Sequence, residues 1–294
     1  MKSNLRNIKI IAGPTCSGKS DLAIDIATRF KGVIINADSL QVYRDLPILT
    51  AQTDPLLFSE YEKIPHYLYG FLKYTEKINA VRWAKLASNL IKDAFQKGYT
   101  PIIVGGTGMY INILINGFSN IPIVSDKTRN VAIKLGETNY KRLCDIVYDN
   151  DKELQKIIKP EQNRQMIRAY EILLETGFSI RFFFEKGRIK FLEDVFYDIH
   201  ITDVERSTLY KNIDNRFRWM INNGAIDEVR DLLKKTNNCK EYPIFQAIGA
   251  TEIYDYLHGV LTKDDMIEKS CRNSRRYAKR QITWFKNQIN PFGF

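Results

Sequence analysis

Eight residues near the start of the chain, Gly13-Pro14-Thr15-Cys16-Ser17-Gly18-Lys19-Ser20, fit G-x-x-x-x-G-K-[ST] at every fixed position. This spacing allows a phosphate or diphosphate to be gripped. Glycines let several backbone N–H groups turn toward one anion. The helix that follows adds positive potential at its N-terminus, and Lys19 supplies a point charge. Ser20 is placed to hold Mg²⁺. The motif needs a strand before it and a helix after it. Residues 7–12 (NIKIIA) read as a short buried strand, and residues 20–30 as a helix with apolar Leu22, Ala23, Ile26 and Ala27, so the context is met. The loop leaves the reaction open: a kinase, an NTPase or a transferase that releases diphosphate would each use it. The absence of an N-K-x-D motif argues against a regulatory GTPase.

Two more candidates follow apolar runs of strand length. VIINA (33–37) ends at Asp38-Ser39, and PIIV (101–104) runs into Gly105-Gly106-Thr107-Gly108. Ligands of open α/β sheets bind beyond the carboxyl ends of the strands, so Asp38 and Thr107 should face the same crevice as the loop. Asp38 suits either Mg²⁺ binding or general-base work. Asp-Ser is equally good turn and N-cap chemistry. Thr107 suits donation to a diphosphate oxygen, or simply capping of the helix MYINILI.

The third cluster is basic. Arg272, Arg275, Arg276, Lys279 and Arg280 are spaced i, i+3, i+4, i+7 and i+8, which puts five cations on one helical face. Tyr277, Trp284 and Phe285 are interleaved with them. A solvated charge run normally carries acidic partners one turn away. Residues 270–290 contain no Asp or Glu. The stripe is therefore expected to meet phosphates, those of an RNA backbone or a diphosphate.

These residues need a scaffold. The 294-residue chain is long enough for a large core with an insertion. Fully apolar strands alternating with helices predict an α/β fold, a parallel sheet covered on both faces. Residues 80–97 have helical spacing. From about residue 122 no buried strand is expected until 195–202 (VFYDIHIT), and helical patterns such as 140–147, 153–158 and 163–175 fill the gap. The expected division is a core of residues 1–121 and 195–294 with an all-helical insertion at 122–194. Further helices are expected at 207–222, 225–235, 243–257 and 263–288.

Lys and Arg total 44 against 34 Asp and Glu, a formal charge of +10. That balance suits an anionic partner. Four scattered cysteines, with no C-x-x-C pair, suggest neither a zinc site nor a disulfide framework. No signal peptide or membrane span is legible, so a cytoplasmic location and no membrane partner are expected.

Together these pieces closely resemble the tRNA dimethylallyltransferase (tRNA isopentenyltransferase) family. The matching segments run in family order: GPTCSGKS (13–20), INADSLQVYRDLPI (35–48), Pro65-His66, PIIVGGTGMYI (101–111), IRAYEI (167–172), RFRWMINNGAIDEV (216–229), IGATE (248–252) and YAKRQITWF (277–285). The phosphate loop is shared by many families. The combination D-S-x-Q-x-Y, V-G-G-T-G-x-Y and A-K-R-Q-x-T-W-[FL] is specific to this one. No zinc-finger extension follows, so the bacterial type is expected.

The resemblance implies a P-loop NTPase-like core and a helical insertion that grips tRNA. It implies transfer of a dimethylallyl group from dimethylallyl diphosphate to N6 of the adenosine 3′-adjacent to the anticodon, with Mg²⁺. A small-molecule kinase using ATP is the alternative. By this resemblance Asp38 is the base, while Thr107 and Arg216 join Lys19, Ser20 and the loop amides on the diphosphate. The tRNA contacts fall on Asp38, Ser39, Leu40, Gln41, Thr107, Arg129, Arg164, Gln165, Met166, Ile167 and Arg168. The basic stripe adds Arg275, Arg276, Lys279 and Arg280. The expected partners are the tRNA anticodon stem-loop and dimethylallyl diphosphate, and the expected state is a monomer. The chain departs from the family pattern at Leu49, Gln52, Gln162, Gln165, Asn212 and Ala250. Arg164 stands one residue from the arginine that Gln165 replaces.

Overall fold

The structure is a computed structural model that describes residues 6–52 and 64–288. By packing it divides into two compact units: Met1–Ile115 with Phe191–Phe294, and Asn116–Lys190. The second unit begins and ends a few residues before the 122–194 read from sequence. Its neck is closed by backbone hydrogen bonds between Phe118 and Ile189, in an antiparallel bridge that no strand pattern announces.

The first unit is built on a five-stranded sheet: β1 (Arg6–Ala12), β2 (Gly32–Asn36), β3 (His66–Tyr67), β4 (Thr100–Gly105) and β5 (Val195–Ile201). The spatial order is β3-β2-β4-β1-β5 and every pairing is parallel. Side chains alternate across the sheet. Ile8, Ile10, Ile35 and Ile103 pack on one face with Trp83, Ile91, Ile111 and Phe285. Ile11, Ile34, Ile102 and Val104 pack on the other with Ala23, Ile24 and Ala27 of α1 (Lys19–Arg29). Burial on both faces explains why β2, β4 and the second half of β1 are apolar. At the edge, β5 is only half-buried and alternates with exposed positions, against the buried strand expected there. β3, two residues long, gives no periodic signal.

The helix α2 (Ala80–Gln96) covers the first face. Asn79 caps it, accepting the Arg82 N–H, and Trp83, Ala84, Ala87, Ile91 and Ala94 form its buried stripe. Trp83 is fully buried, donates to the Asn36 carbonyl at 2.9 Å and stacks on Tyr110 of α3 (Gly108–Asn116). Truncation of such a side chain to alanine costs roughly 3–5 kcal/mol.

Register sets the position of the site. Ala12 pairs with Gly105 and with Ile201, and Asn36 pairs with Val104. The segments after β1, β2, β4 and β5 therefore leave the sheet at one edge, the carboxyl edge. Phe217 and Met220 of α8 (Arg206–Asn222), Val229 of α9 (Ala225–Lys235), Ile253 of α10 (Ala250–Leu257) and Cys271 of α11 (Lys263–Gln288) pack around Tyr43, Leu46 and Leu49. The single helix expected over 243–257 is two pieces. A 3₁₀ turn, Pro243–Gln246, precedes α10, whose start is fixed by the Glu252 carboxylate accepting the Gly249 N–H.

The second unit contains α4 (Asp126–Thr138), α5 (Tyr140–Asn150), α6 (Asn163–Thr176) and α7 (Ile180–Glu185). Their core is Leu143, Val147, Met166, Ile172 and Phe183. The helix expected over 153–158 is a 3₁₀ turn at Lys152–Lys156. Among the described residues no helix is long and apolar enough to cross a membrane.

Candidate active site

The phosphate loop bends between β1 and α1, with Cys16 and Gly18 both at positive φ (62° and 77°). Such alternation turns successive N–H groups toward one point and makes an anion-binding concavity. Ser17 braces it, donating to the Pro14 carbonyl at 2.8 Å and lying 2.5 Å from the Thr202 hydroxyl beyond β5. The Lys19 side chain is half-buried and its ammonium donates back to the Pro14 carbonyl. Burial, with the Arg216 guanidinium beside it, pushes Lys19 down to about 8. Arg216, on α8, donates to the Thr15 hydroxyl. One turn earlier, the Asn212 amide meets the Cys16 carbonyl at 3.5 Å.

Asp38 leaves β2 beside this loop. Its Oδ1 accepts the N–H groups of Leu40 (2.9 Å) and Gln41 (3.4 Å). Those bonds are the turn role that Asp-Ser allows. They use one carboxylate oxygen, and the residue still lines the crevice. Thr107 is held against the same turn: its Oγ1 accepts the Ser39 N–H at 2.9 Å. The Gln41 amide donates to the carbonyls of Thr50 and Ala51, so its N–H₂ group ties the segment instead of facing outward. Glu228 of α9 fixes the far side by accepting the N–H groups of Ile48 and Leu49, and burial raises its carboxyl.

Two cavities adjoin. The polar one lies over the phosphate loop and is lined by Ser17 to Asp21, Asp38, Gln41, Asn212 and Arg216. The other has an apolar wall of Leu40, Leu49, Ile213, Phe217, Met220 and Ile248 facing Ser274 and Tyr277. Both share Thr15, Asp38, Thr50 and Arg216. Their junction is where a bond between a phosphate oxygen and an apolar carbon would lie.

Several residues here escape a sequence reading. Gln281 of α11 accepts the Thr15 N–H (2.9 Å) and donates to the Gly106 carbonyl (2.9 Å), bridging the phosphate loop to the turn after β4. The glycines of that turn are set by close approach. A Cβ on Gly106 would lie 2.1 Å from Gln281, and one on Gly108 would lie 2.1 Å from the Trp284 ring. Tyr277 lines the apolar cavity; burial, the Asp38 charge and a hydrogen bond with Thr107 act on its hydroxyl, and burial, the largest effect, raises it. Only the run YAKRQITWF marks Gln281 and Tyr277 in the sequence, and nothing local tells what they touch.

The basic stripe on α11 is not uniform, which corrects its reading as wholly unpartnered. Arg275 makes two 2.7 Å hydrogen bonds to the carboxylate of Asp214 on α8. Arg272 pairs with Glu268 one turn back at 3.8 Å. Arg276, Lys279 and Arg280 line an open groove with Trp284, and Arg280 lies over the Tyr277 ring.

The remaining candidates stand on the second unit. Arg164 and Gln165 are exposed at the start of α6. Met166 is fully buried in that unit's core, so its side chain packs and does not reach a ligand. Ile167 packs partly against the same core. Arg168 and Arg129 both meet the buried Glu171.

Among the described residues no cluster of three or more His, Cys, Asp or Glu side chains forms a ready metal cage. Ser20, Asp21 and Asp38 border the polar cavity. That sparse oxygen set suits Mg²⁺, which keeps several waters and takes phosphate oxygens as ligands, better than a cation that needs an all-protein cage.

Comparison with known proteins agrees with this geometry. A family model described as IPP transferase matches residues 41–288, and one described as isopentenyl transferase matches residues 6–59. The tRNA dimethylallyltransferase of Rickettsia conorii is 39% identical over 291 residues, covering 98% of this chain and 78% of that protein. That of Rickettsia bellii is 40% identical over 285 residues, covering 97% and 89%. Among solved structures, a eukaryotic dimethylallyltransferase acting on tRNA is 28% identical with a TM-score of 0.79, covering 97% of this chain and 71% of that one. The tRNA delta(2)-isopentenylpyrophosphate transferase of Staphylococcus epidermidis is 33% identical with a TM-score of 0.65, covering 96% and 90%. With a phosphate loop, an acid and an apolar cavity meeting at one sheet edge, and with these matches along nearly its whole length, the chain belongs to the tRNA dimethylallyltransferase family.

Proposed function

We propose that this chain transfers the dimethylallyl group of dimethylallyl diphosphate to N6 of the adenosine 3′-adjacent to the anticodon in tRNA, releasing diphosphate. The observation that carries the reading is the junction of the polar and apolar cavities at Thr15, Asp38, Thr50 and Arg216. A prenyl diphosphate has this polarity: two phosphates at one end, a five-carbon hydrocarbon at the other. The wall of Leu49, Ile213, Phe217 and Met220 suits that hydrocarbon end.

The bond changes are simple. The C1–O bond to diphosphate breaks, the C1–N6 bond forms, and one N6 proton leaves. Charge develops on the departing diphosphate, and groups already aimed at it stabilise that charge most. Lys19, Arg216 and the loop N–H groups fill this role. Mg²⁺, held by Ser20 and the diphosphate itself, would neutralise part of the same charge. An exocyclic aromatic amine is a weak nucleophile, so a base in reach as its proton leaves speeds the step. The Asp38 oxygen not used in its own turn is that base. Thr107 and Ser39 hold the turn that aims it. The adenine is flipped from the anticodon loop to enter the crevice.

Arg129, Arg164, Gln165 and Arg168 on the helical unit, with Arg276, Lys279 and Arg280 on α11, contact the anticodon stem-loop. A monomer is the working form in this reading. A tRNA substrate fits a cytoplasmic enzyme.

The test is incubation with unmodified tRNA, Mg²⁺ and dimethylallyl diphosphate, followed by nucleoside mass spectrometry. The reading expects N6-dimethylallyl adenosine from the anticodon loop. It is overturned if no prenylated nucleoside forms while the γ-phosphate of ATP is transferred to a metabolite.

A further inference from the structure

We infer that Glu171 is a positioning residue that aims Arg129 and Arg168 at the tRNA backbone. Among the described residues Glu171 is one of three buried charged side chains, at 6% residue exposure. Its Oε2 accepts from Arg168 Nη1 at 2.7 Å, and its Oε1 lies 3.8 Å from Arg129 Nε. Arg168 is one turn earlier on α6, whereas Arg129 comes from α4. One buried carboxylate thus faces two guanidiniums from two helices.

A buried carboxylate is costly unless charged partners satisfy it, so both contacts restrict the arginines. A guanidinium is planar and carries five N–H donors in a fixed fork. Glu171 engages Arg129 through Nε and Arg168 through Nη1, which leaves other donors of each fork for a ligand, and both arginines are part-exposed (48% and 36%). Arg129 Nη1 also lies 3.7 Å from Asp126 Oδ1, so two carboxylates balance the two guanidiniums and hold Arg129 from two sides. The arrangement presents oriented guanidinium donors, which phosphate oxygens match bidentately. This inference rests on the tRNA reading above.

A second carboxylate supplies a control. Glu175, one turn further along α6, also holds α4, accepting from the Ser125 hydroxyl at 3.0 Å. It joins the same two helices through Ser125, the N-cap of α4, and not through Arg129 or Arg168. A merely structural role for Glu171 would be shared by Glu175. A positioning role would not.

The experiment measures tRNA affinity and its salt dependence, together with prenyl transfer at saturating tRNA, on the full chain. Glu171→Gln is expected to weaken tRNA binding roughly tenfold, the factor that corresponds to losing about one charge-assisted hydrogen bond. It should flatten the salt slope and leave saturated turnover unchanged. Glu175→Gln should bind as wild type. In an Arg129→Gln/Arg168→Gln background, Glu171→Gln should cost nothing further. The inference is overturned if Glu171→Gln binds as wild type, if Glu175→Gln loses as much, or if the loss persists without the arginines. If Glu171→Gln fails to fold, Glu171→Asp keeps the charge with a shorter reach. Its loss must likewise vanish in the arginine-less background, and a loss that remains there overturns the inference equally. Wild-type protein that neither binds nor prenylates tRNA would instead remove the functional reading itself.

Discussion

The side-chain carbonyl of Gln281 accepts the backbone N–H of Thr15 at 2.9 Å, across 266 residues of sequence. The same side chain donates to the Gly106 carbonyl. One amide therefore ties the phosphate loop, the turn after β4 and the C-terminal helix together at the sheet edge. Both partners are backbone groups, so their geometry is insensitive to neighbouring side chains.

Gln281→Leu should disrupt that tie while keeping much of the volume. It leaves a loop N–H and a buried carbonyl without partners, at a cost of roughly 1–3 kcal/mol for each unsatisfied group. The expected outcome is a lower melting temperature and a raised KM for dimethylallyl diphosphate. A melt by circular dichroism and steady-state kinetics check it. An unchanged KM would detach Gln281 from the loop's function.

Asp38→Asn separates the two roles of that residue. Asparagine's side-chain oxygen can still accept the Leu40 and Gln41 N–H groups, so the turn survives. The base is lost. Single-turnover transfer should fall by about 10²–10⁴-fold, the usual worth of general-base catalysis. Affinity for tRNA should stay within about threefold, since a surviving turn perturbs binding by well under 1 kcal/mol. Equal rates for the two proteins would leave Asp38 with its turn role alone.

Lys19 gives a pH dependence with a definite sign. Its ammonium, brought down to about 8 chiefly by burial, loses its proton as pH rises through that value in the free protein. A bound diphosphate favours the charged form and raises this pKa. Binding therefore takes up a proton above pH ~8 and almost none well below it, by linkage. Affinity for dimethylallyl diphosphate should be flat toward pH ~7 and then fall, approaching about tenfold per pH unit, as the free lysine deprotonates. Calorimetry in buffers of different ionisation enthalpy counts the protons. A pH-independent affinity over this interval would contradict the assignment.

The helix α11 should divide its cations by function. Arg275 is committed to Asp214. Arg275→Gln is expected to lower stability by about 1 kcal/mol, as for a part-exposed ion pair, and to leave the salt slope of tRNA binding nearly unchanged. Arg276→Gln should do the reverse, reducing the log–log salt slope by somewhat under one unit for one lost phosphate contact. Binding titrations between low and moderate salt, with melts of both variants, distinguish the two. Equal slope changes would restore the uniform stripe.

The division on α11 marks where the sequence stops being legible. Lys19, Asp38 and Thr107 could be read because each follows a strand that ends in an apolar run. Parallel strands buried on both faces fix register, and with it the edge where the loops emerge. The basic stripe was legible as a periodicity, but its partner Asp214 lies 61 residues away on another helix. A one-helix pattern cannot report that. Gln281 and Tyr277 were hidden for the same reason. Met166 sat within a run of polar and charged neighbours, yet it is the core-facing position of α6, where helical periodicity outweighs adjacency. The 243–257 segment reads as one amphipathic helix because its apolar residues keep their spacing across the break before Ala250. β3 and the Phe118–Ile189 bridge are too short to carry a pattern.

The central claim is that the phosphate loop holds a leaving group, not a phosphoryl donor. The most direct measurement follows diphosphate release and prenylated adenosine together in a single turnover, with enzyme in excess over unmodified tRNA. The account predicts that both products appear at one rate, in equal amounts, with ATP present and unconsumed. Diphosphate or orthophosphate appearing without prenylated adenosine would contradict it, as would transfer of the ATP γ-phosphate.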